Sequence, residues 1–203
     1  MAEQQYGLTK MQISRLVQAI DPKHVDKKQG KLSYIAQHEV RAELTRIFGY
    51  GNWDSQTETM EFLWEDSIEK DGKTYWRACY TCRVRVNIRD YWGNPVASFV
   101  GAHAEANSIL PDRGEAHAMA VSSVESYAMR RAVISLGDRL GLSLYAKGSE
   151  EQIVKGTLQL TDPESPQYIS EEERAKKMAE IEERKRARMQ AAMNVKEAAD
   201  AAG

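Results

Sequence analysis

Hydrophobic and polar residues alternate without a break from residue 75 to residue 89. Trp76, Ala78, Tyr80, Cys82, Val84, Val86 and Ile88 fall on one side of this run. Tyr75, Arg77, Cys79, Thr81, Arg83, Arg85, Asn87 and Arg89 fall on the other. Side chains of a strand alternate between faces, so the run predicts a strand with one apolar face and one face bearing four arginines. A stretch rich in Thr and aromatics, residues 53–66, predicts a strand before it, with an Asp-Gly type turn at residues 69–73 between them. A second turn at residues 90–95 leads to a third, short strand at residues 96–100. Three strands joined by short turns predict an antiparallel meander.

The period changes on either side of this region. Residues 9–20 open with the capping-box pattern Thr9-Lys10-Met11-Gln12 and continue as a short amphipathic helix. Residues 21–30 are polar and charged and predict a loop. Ser33 is the expected cap of a second helix, whose residues Ala36, Val40, Leu44 and Ile47 follow helical spacing up to the Gly49-Tyr50-Gly51-Asn52 turn. After the strands, Val121, Val124, Ala128, Ala132 and Leu136 give an apolar stripe to a long helix expected over residues 114–141, with Gly141 as terminator. The predicted fold class is therefore α+β: a three-stranded meander packed on a long helix, a β-β-β-α core with N-terminal helices.

Composition shifts near residue 147. Residues 1–147 are expected to form one domain and residues 148–169 a linker. Residues 170–203 are expected to be a charged, helical or partly disordered tail, opened by a second capping box at Ser170-Glu171-Glu172-Glu173. The net charge is −2, and residues 1–150 hold as many acids as bases, so any electrostatic function must come from how charge is distributed. There is no apolar run of membrane-spanning length, and the polar first residues resemble no signal peptide, so the expected location is the cytoplasm with no membrane partner.

Candidate chemistry is sparse. Cys79 and Cys82 have CxxC spelling, but three residues apart on a strand they face opposite sides and cannot share an ion. Cys82 is expected in the core and Cys79 at the surface. No phosphate-binding glycine loop, nucleophile elbow or paired-carboxylate motif is present, so no enzymatic activity, cofactor or metal is expected. The strand arginines are the stronger signal. Arg77, Arg83, Arg85 and Arg89 stand on one face with no interleaved acid, at a spacing of roughly 7 Å for successive same-face positions. That spacing suits successive phosphates, and Tyr75 on the same face offers a stacking surface. The competing reading pairs these arginines with acids on a neighbouring strand, such as Glu58 or Glu61. On the long helix, Arg130 and Arg131 follow Ser122, Ser123 and Ser126, small hydroxyl residues able to admit and bond a phosphate backbone.

Two stretches carry a resemblance. One is Tyr34-Ile35-Ala36-Gln37-His38-Glu39-Val40 leading to Phe48-Gly49-Tyr50-Gly51-Asn52-Trp53. The other is Met129-Arg130-Arg131-Ala132-Val133-Ile134-Ser135-Leu136-Gly137-Asp138-Arg139-Leu140-Gly141. Together with the strand between them, they resemble the N-terminal annealing domain of Rad-fifty-two-type recombination proteins, phage and bacterial relatives included, over about residues 30–145. The resemblance implies a closed homo-oligomeric ring, single-stranded DNA in a basic groove, and annealing of complementary strands without ATP or metal. It implies that Arg130 and Arg131 are the backbone-contacting pair, that Lys73 belongs to an outer DNA site, and that Arg85 is a matching strand arginine. Where the family has an arginine, this chain has Glu39, and Arg41 is the candidate substitute. Arg113 is the nearest counterpart of basic residues at the start of the family's long helix. The expected function is single-strand annealing in recombination and repair. The alternatives are a single-stranded DNA coating protein or a structural oligomer. A single-stranded DNA-binding protein or an exonuclease is the expected class of further protein partner.

Overall fold

The computed structural model describes residues 7–28, 32–107, 109–146, 148–165 and 167–200. The polar first residues, the end of the expected 21–30 loop and Lys147, at the expected domain boundary, lie outside the described residues.

The chain divides into two units, residues 1–156 and 157–203. In the first, α1 (Lys10–Leu16) starts at Thr9, and both halves of the capping box form, between the Thr9 and Gln12 side chains and each other's backbone N–H. The expected loop that follows instead contains a strand. β1 (Val25–Lys28) pairs antiparallel with β2 (Leu32–Ile35), Lys27 opposite Ser33. Ser33 is thus a strand residue and caps nothing. Helix α2 (Gln37–Phe48) begins at Ala36 without a side-chain cap. Burial of Ile35, Val40, Leu44, Ile47 and Phe48 holds it in place of a cap.

The meander forms as β3 (Trp53–Lys70), β4 (Lys73–Arg89) and β5 (Pro95–Ala106), antiparallel in the order β3-β4-β5. Asp71 and Gly72 take φ values of 52° and 70°, the left-handed pair that a two-residue hairpin turn requires. The second turn is built by Asp90, which is fully buried and accepts hydrogen bonds from the backbone of Trp92 and Asn94. β5 runs six residues beyond its expected end, because Gly101 to Ala106 continue the ladder opposite Val84 to Cys79. The apolar face of β4 lies in the core as expected: Ala78, Cys82, Val84, Val86 and Ile88 are buried. Cys79 is buried too, a correction, since its register neighbours Trp64 and Ala106 flank it on both sides. Burial pushes both thiols above the ordinary cysteine value.

Helix α3 (Arg113–Val133) covers that face through Ala116, Ala120, Val124, Ala128 and Ala132. It ends eight residues before the expected terminator. Short 3-10 turns, Ile134–Leu136, Asp138–Leu140 and Ser143–Tyr145, complete the segment, with Gly141 left-handed at φ 97°. Asp138 is buried and accepts the backbone N–H groups of Ile153 and Val154 at 2.9 and 2.7 Å, tying residues 148–156 to this unit.

In the second unit, α4 (Leu158–Thr161) precedes α5 (Glu171–Asp200), whose first turn donates from Glu173 N–H to Ser170 Oγ. Leu160 and Ile169 are buried, and Arg174 donates to the Leu160 carbonyl at 2.6 Å.

A buried ion cluster anchors α2 to the 3-10 turns. Glu43, 3% exposed, accepts from Arg139 at 2.6 Å and from Arg46 at 2.9 Å. Burial alone would raise the Glu43 carboxyl, but the bonds from Arg139 and Arg46 and the charge of Arg15 outweigh it and hold it below the usual glutamate value. Its contribution is therefore complete above that usual value and lost as pH falls through the lower, folded one. Glu43→Ala strands Arg139 and is expected to cost about 3–5 kcal/mol at neutral pH. Urea titrations should show this gap narrowing as the solution is made acidic.

Candidate nucleic-acid interface

The last turn of α3 sits where three long-range neighbours converge. Arg130 Nε donates to the Ser126 carbonyl at 3.3 Å, and Nη1 to the Ile35 carbonyl at 3.2 Å. Its guanidinium lies 4.0 Å from the centre of the Tyr127 ring and 5.1 Å from that of Tyr34. The group lies over two aromatic rings, an arrangement that suits a planar cation. Arg131 is exposed, with Nη1 3.5 Å from the Ala102 carbonyl, at the outer limit of hydrogen bonding. Neither guanidinium has a carboxylate partner among the described residues. Both keep donors for an anion.

Beside them opens a cavity of about 520 Å³, lined by Tyr34, Ile35, Val40, His103, Tyr127, Arg130, Arg131, Ile134, Leu140, Leu144 and Tyr145, with Ser33, Gly141 and Gly148. The His103 and Tyr127 rings lie 4.7 Å apart. Burial, and then the charge of Arg131, hold the His103 imidazole below the ordinary histidine value, against the opposing pull of the Glu105 carboxylate 3.6 Å from its Nε2. The serines of α3 already make bonds inside the subunit. Ser126 donates to Gln37 Oε1 at 2.8 Å, and Ser123 to Glu105 at 3.1 Å, so two of the three hydroxyls are engaged within the protein.

The four strand arginines share one face, as the alternation predicts, and each meets an acid of β3. Arg83 and Arg85 divide Glu58 at 2.8 and 2.6 Å. Arg77 pairs with Asp66 at 3.2 Å, and Arg89 with Asp54. A hydrogen bond from Asn87, followed by Arg89, lowers the Asp54 carboxyl below the usual range. Glu58 lies at the bulge between Thr57 and Thr59, where it falls between the two arginines. The competing reading therefore describes this face in the subunit, with Glu58 as the partner it named, while Glu61 lies opposite Thr81. Exposed pairs of this kind contribute at most about 1 kcal/mol. Arg83→Gln with Arg85→Gln is expected to lower the melting temperature only slightly and to weaken DNA binding less than loss of the helix pair. Thermal melts and binding isotherms on one sample check both.

The remaining candidates lie apart from the cavity lining. Lys73 is exposed at the β3–β4 hairpin tip opposite Lys70. Nine positions separate it from Cys82, the register partner of His103, or ~30 Å along the strand. Tyr75 stands opposite Ile68 near that tip. Arg113 pairs with Glu65 at 2.8 Å and stacks over Trp76. Arg41 is exposed on α2 and does not line the cavity. Glu39, which stands where the family has arginine, contacts His24 at 2.9 Å. Sequence reasoning missed Tyr34, His103, Tyr127 and Tyr145. Tyr34 and Tyr127 lie in or beside the resemblance motifs, but nothing along the chain marks their meeting.

The architecture is an α+β domain in which a three-stranded antiparallel sheet rests on a long helix whose last turn carries an arginine pair without carboxylate partners among the described residues. The model of the Rad52/22 family double-strand break repair protein matches residues 5–165, and the chain belongs to that family. This confirms the resemblance and places the protein among those of DNA recombination and repair. No individually curated protein matches it. No helix among the described residues is long and apolar enough to cross a membrane.

Proposed function

We propose that the protein binds single-stranded DNA and anneals complementary strands without ATP, as a ring of identical subunits. The observation that carries this reading is the pair Arg130 and Arg131. They are cationic, held by backbone carbonyls and aromatic rings, and without acid partners among the described residues. Phosphates neutralise such groups and release counterions, a gain that does not depend on sequence. The backbone is held while bases stay free to pair, so the step needs positioned charge and no catalytic residue.

The ring is supported by the open sheet. Each outer strand presents one edge unpaired among the described residues, and β3 exposes Phe62, Leu63, Trp64 and Ile68 at 54, 48, 40 and 44%. Edges of this length and apolarity are normally covered by another chain.

The test is annealing of complementary labelled oligonucleotides, followed by energy transfer, in chelator and without nucleotide, with particle size measured on the same preparation. Acceleration by a closed oligomer is the expected result. Binding without acceleration would leave a coating protein. Failure to bind would refute the proposal.

A further inference from the structure

We infer that the cavity beside Arg130 is a nucleobase site: each subunit draws one unpaired base of the bound strand into it while the arginine pair holds the adjoining phosphates. This rests on the proposed binding of single-stranded DNA and adds a contact that phosphate binding does not need. Phosphates are held by surface cations, yet here the cations border a space of about 520 Å³, within the range of small-molecule sites.

The lining is graded in a way that suits a flat, part-polar ring tethered to an anion. Val40 and Leu140 are 1 and 2% exposed and form the floor, whereas Tyr145 is 64% exposed and stands at the mouth with Arg131. Tyr145 supplies aromatic surface at the mouth, and bases of any identity stack on such faces, while the Tyr34 and Tyr127 rings carry Arg130 and border the space. His103 adds a polar edge against the Tyr127 ring. The anionic strand is the occupant committed to by charge, because two guanidiniums without carboxylate partners among the described residues flank a space lined mostly by aromatic and aliphatic side chains.

The arrangement has consequences for the reaction. A base held in the cavity is withdrawn from pairing and must be released before annealing is complete. Duplex DNA cannot offer a base without unstacking and unpairing it, so the same cavity favours single strands.

The experiment compares a thymidine oligonucleotide with one of equal length built from abasic sugars, using the full chain. The phosphates are identical, so the salt slope should be equal, while the abasic strand binds at least tenfold more weakly. Tyr145→Ala, at an exposed position, should shrink that difference several-fold and leave the slope unchanged. An oligonucleotide carrying a single 2-aminopurine should change its emission on binding to the native protein, a readout that needs no variant. Equal affinity for the normal and abasic strands overturns the base site. So does an abasic penalty that survives Tyr145→Ala in a folded variant, since the base contact then lies elsewhere. If either occurs while Arg130→Ala with Arg131→Ala still weakens binding, the phosphate reading stands alone. If the arginine variant is also unaffected, both readings fall.

Discussion

Arg130→Ala combined with Arg131→Ala is expected to weaken binding of single-stranded DNA about 100-fold at moderate salt, alike for all base sequences. Two charge-assisted hydrogen bonds are lost, each contributing about 1.5 kcal/mol or more. Each lost phosphate contact should also reduce the salt slope by about 0.7, so the double variant should be shallower by about 1.4. Folding should be spared more than binding. Arg131 is exposed, and Arg130 contributes two bonds to backbone carbonyls and its stacking on the tyrosines. A folded double variant with native affinity and native slope would remove the helix pair from the interface. A sequence-dependent loss would point to base readout in place of phosphate contact.

Gly101→Ala is expected to destabilise the first unit by about 3 kcal/mol, the upper part of the usual range for overpacking. A Cβ at this position would stand 2.2 Å from the Ala128 carbonyl oxygen and 2.3 Å from the Ala132 nitrogen. Both are backbone atoms of α3, so no rotamer change can clear the space and the helix must lift from β5. The two contacts bracket Arg130 and Arg131 in the chain, so a lifted helix also carries the arginine pair away from Ala102 and Ile35. The urea midpoint should fall with little change in slope, and DNA affinity should fall with it. Stability and affinity both at native values would show that α3 does not approach the sheet this closely.

Much of the local architecture was legible. The period of two in β4 identified Val84, Val86 and Ile88 as core because a strand that is half buried must alternate. The Asp71-Gly72 turn could be placed because few residues tolerate positive φ. The Thr9–Gln12 box named its own helix start. The errors share one cause, which is that neighbours distant in sequence overrode local preference. Ser33 carries a good cap side chain but is paired with Lys27 in a hairpin. Gly101 and the alanines after it have weak strand propensity, yet β4 offers them a ladder. Cys79 lies on the arginine face and is still buried, between Trp64 and Ala106.

The candidate site divides along the same line. The amino-acid sequence by itself determined that four arginines share a face, that Arg130 and Arg131 stand together near the end of a helix, and which family motifs surround them. These follow from side-chain period and from residue identity, which are properties of one segment at a time. Tertiary structure decided which of these cations are neutralised. Arg85 meets Glu58 across 27 residues of chain, because the hairpin lays an acidic strand against a basic one. Arg130 reaches the Ile35 carbonyl across 95 residues and comes to rest between Tyr34 and Tyr127. Coulomb interaction is short-ranged in salt water and depends on distance in space. The pairing of charges, and the cavity beside the unpaired ones, therefore exist only once α3, β2 and β5 have been brought together.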